Sequence, residues 1–165
     1  MAEKAQEVVK RYLQDVIAAE RNFEDVLASF SKAGEQAAVQ EMFGRFARKA
    51  KTQHERLTAR LKTLGGSPSA TKSAVAHFLG FAPSVGQIGQ EAPEKNTQHL
   101  IMVFGAAAAE MAMYEALSVV AAQAGDEETE RLARELQKEE RQDYDDVWSI
   151  LGTSAHESFR AAAAK

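Results

Sequence analysis

Acidic side chains stand at four positions where a helix of a soluble bundle would ordinarily bury hydrocarbon. Glu20 interrupts the stripe Val9, Leu13, Val16, Phe23, Leu27 and Phe30; Glu110 interrupts Val103, Ala107, Tyr114 and Leu117; Glu140 and Asp143 share a stripe with Leu136, Val147 and Ile150. Steps of three and four residues place each set on one helix face. An unpaired carboxylate there costs roughly several kcal/mol or takes up a proton. Each therefore needs a counter-charge, and the two available kinds are a cation from another helix or a metal ion shared among the acids. Inward Glu residues from facing helices, with further ligands at i,i+3 spacing as in Glu140 and Asp143, are how helical bundles hold iron or manganese.

The elements that must position these acids follow from the punctuation of the chain. A first helix is expected from about Glu3 to Ser31, ended by Gly34, and a second from about Glu35 to Leu64, stopped by Gly65-Gly66. Residues 65–95 hold all three prolines and five of the ten glycines. A connection of that length between long helices predicts a crossover, with one short helix near Ser73 to Leu79. A third helix is expected to begin at Asn96 or Thr97 as its cap and to reach Gln123. Gly125-Asp126 closes it and opens a fourth, whose first turn carries Glu127 and Glu128. Beyond Gly152, Ser154 and Glu157 have capping-box spacing and predict a separate short C-terminal helix. The fold class is all-α: a four-helix bundle forming one domain over 1–165.

In antiparallel helices joined by a tight turn, residues equidistant from the turn lie level. Glu20 is 14 residues before Gly34 and Lys49 is 15 after it; Glu110 is 15 before Gly125 and Glu140 is 15 after it. The expectation is one layer holding Glu20, Lys49, Glu110 and Glu140, with Lys49 beside Glu20 and Asp143 a turn away. Any one of these acids alone reads as the buried partner of a nearby Lys or Arg. Gln53 faces inward on the second helix. His54 follows Gly34 by 20 residues, about a turn from the layer, and is assigned a supporting role. His77, His99 and His156 lack ligand spacing. Met102, Met111 and Met113 read as core or dimer contacts, and Tyr114 and Tyr144 as packing residues able to donate hydrogen bonds to the carboxylates.

Other functional classes find no support in the chain. With no cysteine there is no disulfide framework, thiolate site or cysteine nucleophile, and a cytoplasmic location is expected. The net charge of −4, with Lys and Arg dispersed among acids, predicts no nucleic-acid binding. The charged N-terminus is unlike a signal peptide, and no apolar run is expected to be long enough to span a membrane. Neither a phosphate-binding glycine loop nor a Ser/His/Asp grouping is present.

The acidic stripes carry a family resemblance. Asp15, Ala19 and Glu20 resemble a D-x-x-x-A-E segment, and Gln53, Glu55, Arg56 and Leu57 a Q-x-E-R-L segment. Glu110 and Tyr114 match E-x-x-x-Y, and Glu139-Glu140 match E-E-K with Arg141 in place of Lys. These are motifs of the ferritin-like superfamily, and within it of the stress-associated YciE/YciF-type four-helix bundles. The resemblance covers most of the chain and implies a dimeric, stress-associated, ferritin-like protein with a dinuclear metal site in the bundle centre.

Departures from the pattern qualify what it implies. Lys49 replaces a carboxylate, Phe46 a His, and Ala107 a Glu. Two oxygen ligands are therefore missing, and an ammonium near the site repels a metal placed at that end. Two main readings follow, beside a third of a generic amphipathic bundle that coats a hydrophobic surface. In the first, a reduced site of Glu20, Glu110, Glu140 and Asp143 holds one iron or manganese ion, with Lys49, Gln53, His54 and Tyr114 around it. In the second, the protein is a metal-free structural or interaction protein in which Lys49 supplies the missing charge. Ferroxidase catalysis is disfavoured in both, because it needs two ions held together. Apolar surface from Met102, Met113 and the crossover predicts a homodimer.

Overall fold

Each apolar stripe becomes the buried face of one long helix: α1 (Ala2–Phe30), α2 (Ala37–Thr63), α3 (Lys95–Ala124) and α4 (Glu127–Ala163). The computed structural model describes residues 2–33, 36–68 and 94–164. Gly34 and the short helix expected near Ser73 to Leu79 lie outside the described residues.

Helices α1 and α2 form one antiparallel hairpin and α3 and α4 another. The core clusters set their mutual directions. One contains Phe23, Leu27 and Phe30 with Phe43, Leu100, Val103 and Val147. The other contains Val9, Leu13 and Val16 with Leu57, Leu61, Leu117, Ala133 and Leu136. Low numbers of α3 thus meet high numbers of α1, which makes that pair antiparallel and leaves α2 and α3 parallel. Helix α2 thus stops at one end of the bundle and α3 starts at the other, the arrangement of a bundle whose second and third helices are parallel.

The α3–α4 turn shows how local chemistry ends one helix and starts the next. Gly125 adopts φ 73°, a left-handed conformation that glycine takes without a Cβ clash, and the Asp126 N–H returns to the Ala121 carbonyl at 2.9 Å. The Asp126 side chain then accepts from the Thr129 N–H at 3.0 Å, capping α4.

Three expectations are corrected. The separate C-terminal helix does not exist: α4 runs unbroken through Gly152 to Ala163. Ser154 and Ser158 are buried within it, each 2.9 Å from the Thr97 hydroxyl, so packing on α3 outweighs the roughly 1 kcal/mol cost of a helical glycine. Thr97 consequently spends its hydroxyl on α4 rather than on a cap, and α3 begins at Lys95 after Glu94 with no side-chain cap. Finally, α3 is long and apolar enough by length and composition to cross a membrane. Its alanines and valines surround a buried Glu110, and one face packs within the bundle as a core helix.

Candidate metal centre

The two core clusters leave a gap between them, and the acids fill it. Glu20 lies between Ile17 and Phe23, Glu110 between Ala106 and Tyr114, and Glu140 between Leu136 and Val147, so a polar layer divides two apolar halves. One oxygen from each of Glu20, Glu110 and Glu140 lies within 4.8 Å of the others. Their residues are 0%, 1% and 1% exposed. Three helices supply the group: α1, α3 and α4.

Its electrostatics are those of crowded, desolvated acids. Burial is the largest influence on Glu20, followed by the charge of Glu140, and the carboxyl is held well above its usual range. Glu110 is likewise raised, by burial and then by Glu20 and Glu140. Glu140 is pushed up to about 7 by burial and the charge of Asp143, against opposing contributions from Lys49 and Gln53. A hydrogen bond between the Glu110 and Glu140 carboxyl groups favours the proton on Glu110 and the charge on Glu140. One shared proton relieves that pair.

Surrounding side chains satisfy only the outer part of the layer. The Tyr114 hydroxyl donates to Glu20 Oε1, and Tyr114 is fully buried. Burial, then the Glu20 charge, raises its phenol well above the ordinary value, so Tyr114 stays a donor. Gln53 Nε2 donates to Glu140 Oε1 at 2.9 Å and to Glu139 Oε2 at 3.1 Å. After these bonds, Glu20 Oε2, Glu110 Oε2 and Glu140 Oε2 remain buried without a hydrogen-bond partner. Three orphaned carboxylate oxygens in one buried layer fit the needs of a single hard cation, which accepts oxygen donors and removes their desolvation cost.

Lys49 and Asp143 occupy the rim of this layer. The Lys49 ammonium donates to the Asp143 carboxylate and, at 2.8 Å, to the Glu139 carbonyl. The expected partnership of Lys49 with Glu20 is therefore corrected. The turn arithmetic gave the height of Lys49 but not its direction: it flanks the α2 stripe of Phe46, Ala50 and Gln53 on the α4 side. Only a charge effect reaches Glu20, weaker than burial, the Glu140 and Glu139 charges and the Tyr114 hydrogen bond. Asp143, raised to about 6 by burial despite its bond to Lys49, stands apart from the three clustered acids. His54 is half-buried and also outside the cluster.

One contributor entered the sequence reading only as half of the Glu139-Glu140 motif, without a role in the site. Glu139 presents its carbonyl to Lys49 and its carboxylate to Gln53 and Arg56, the last at 2.9 Å. Its signal was a second periodicity. Lys49, Gln53, Arg56 and Arg60 recur along α2 and meet Asp143, Glu139, Glu135 and Asp126 in reverse order on α4. This polar ladder joins the two helices.

The comparisons agree with this architecture. The profile described as Domain of unknown function (DUF892) matches residues 4–159. No curated protein sequence matches the chain. Among solved structures, the Escherichia coli stress protein YciF is similar at a TM-score of 0.82 and 17% identity, over 93% of this chain and 98% of that one. A Dps protein from Bacillus brevis is similar at 0.74 and 18%, over 90% and 97%. The Desulfovibrio desulfuricans bacterioferritin, solved for its diiron site, is similar at 0.73 and 18%, over 99% and 89%. With a ferritin-like fold and a profile match over nearly its whole length, the chain belongs to the DUF892 family.

Proposed function

We propose that this protein binds one divalent metal ion, manganese or ferrous iron, between Glu20, Glu110 and Glu140. The observation that carries this reading is the set of three buried, unpartnered oxygens on those residues. Asp143 supports it from the rim, held by Lys49. All donors in the layer are oxygens, which suits manganese and ferrous iron better than softer ions. Lys49 sits where a further cation would be repelled, so the reading is of one ion and of binding rather than two-ion oxidase chemistry. The stress-associated role is inferred from the likeness to YciF, and a cytoplasmic setting from the lack of cysteine.

We also infer that the protein self-associates through α3. Ile101 and Val119 are 48% and 47% exposed on its outer face, with exposed Ala112 and Ala116 between them and Trp148 of α4 nearby at 64%. Met102 and Met113, expected to form the contact, are half-buried against the core.

Metal analysis and Mn2+ calorimetry test the first reading. The expected result is close to one ion per chain, lost in Glu110→Gln and Glu140→Gln. Less than about a tenth of an ion and no heat of binding would overturn it and favour the metal-free alternative, with Lys49 and a shared proton holding the layer together.

A further inference from the structure

A buried cation site needs a route from solvent, and the four seams of the bundle are unequal. Along the α2–α4 seam, Lys49, Arg56 and Arg60 are tied in ion pairs to Asp143, to Glu135 and Glu139, and to Asp126 and Glu128, so interlocked side chains fill the path. The groove on the outer side of α3 and α4 has a volume of about 450 Å³, and Lys138 and Arg141 line it opposite a single acid, Glu115. Its wall is tied by Gln137 Nε2, which donates to the Met111 carbonyl at 3.1 Å. Size alone does not make it an entrance. None of the three clustered carboxylates lines it.

The α1–α3 seam differs in both charge and destination. A niche of about 10 Å³ lies there between Ala19, Asn22 and Val26 on one side and Met102, Ala106 and Glu110 on the other. That volume matches roughly one water molecule. Ala19 and Ala106 are buried and small, whereas Asn22 and Met102 are half-buried at the outer lip. Among the described residues no Lys or Arg lines the niche, and the one ionisable residue that does is Glu110. The Glu110 side chain is 1% exposed and its Oε2 has no hydrogen-bond partner.

We propose that this niche is the port through which a divalent cation reaches the carboxylate layer, with Asn22 at its mouth and Glu110 as the first acidic group inside. The proposal rests on the metal-binding reading above and adds its route. Asn22 offers a neutral, hard oxygen that can share an ion with its remaining water before Glu110 takes it up. Alanines at 19 and 106 keep the aperture open, since a larger side chain at either position would fill a space of one water. On the opposite seam the ion pairs would have to open before an ion could pass, which makes that side unfavourable for entry.

Stopped-flow mixing of the full chain with Co2+, followed by the visible bands of the bound ion, tests the route. Ala106→Leu and the milder lip variant Asn22→Leu should slow uptake, by about tenfold or more for Ala106→Leu, while equilibrium affinity changes by less than about twofold. Asn22→Asp should quicken it. Arg56→Ala, which removes a charge from the other seam, should leave the rate unchanged. Equal rates in wild type and both leucine variants would overturn the port, as would faster uptake in Arg56→Ala. An absence of Co2+ bands in the wild type at equilibrium would instead overturn the metal-binding reading, and the port with it.

Discussion

The Lys49 ammonium binds the Asp143 carboxylate across the α2–α4 seam, at the rim of the layer in which Glu20, Glu110 and Glu140 meet. The Lys49 side chain is 26% exposed and that of Asp143 5%. The positive charge thus reaches water while its partner does not. Replacing Lys49 with Gln strands a buried carboxylate and should cost about 2–4 kcal/mol in urea unfolding of the metal-free protein. Lys49→Glu should cost at least as much without metal, yet tighten Mn2+ binding by about tenfold or more, because a repelling charge becomes an attracting one. Unaltered affinity in calorimetry would show that the ammonium is not felt at the site.

The metal-free protein should lose stability as the pH rises. Glu140 titrates at about 7 and Asp143 at about 6 in the folded chain, both raised chiefly by burial. In the unfolded chain these groups release their protons near pH 4. Between roughly pH 4.5 and 7 the folded state therefore binds more protons, and stability falls with rising pH. Thermal melts at pH 5.5 and pH 8 should show the lower Tm at pH 8. Glu140→Gln should flatten that slope, and saturating Mn2+ should raise the Tm more at pH 8 than at pH 5.5, because Glu140 has lost its proton at the higher pH.

Tyr114→Phe isolates the hydroxyl that, among the described residues, donates to Glu20. The ring volume is kept, so the change removes a hydrogen bond from a buried carboxyl and little else. A loss of about 1–3 kcal/mol is expected in denaturant unfolding without metal. The loss should shrink when Mn2+ is present.

Gly152 tests the continuity of α4. A Cβ built there meets nothing within 4 Å, and the residue is exposed within the helix. Gly152→Ala should therefore stabilise the protein by about 0.5–1 kcal/mol, seen as a higher urea midpoint at unchanged slope. Destabilisation would mean that the helix breaks at this position.

Arg60 closes the far end of the polar ladder. Its guanidinium donates to Asp126, Glu128 and the Thr129 hydroxyl, the first at 2.6 Å and the last at 2.8 Å, and its side chain is 11% exposed. Arg60→Ala should cost about 1–3 kcal/mol in urea. Arg60→Lys should recover only part of that, since one ammonium cannot reproduce the fork that spans three acceptors on the first turn of α4.

The sequence by itself determined the four helices, their buried faces and the acids of the central layer. Periodicity fixes which side of a helix is apolar, and a carboxylate within an apolar stripe declares itself without reference to any neighbour. Turn distances even placed Glu110 beside Glu140, because both helices leave one tight turn at Gly125. Tertiary structure decided everything that depends on rotation about a helix axis or on contact between distant segments. It turned Lys49 from Glu20 to Asp143, gave Glu139 its place between α2 and α4, and drew Ser154 and Ser158 onto Thr97 so that α4 passed through Gly152. Height along a helix is a count of residues, but direction and partnership are set by the packing of all four helices at once.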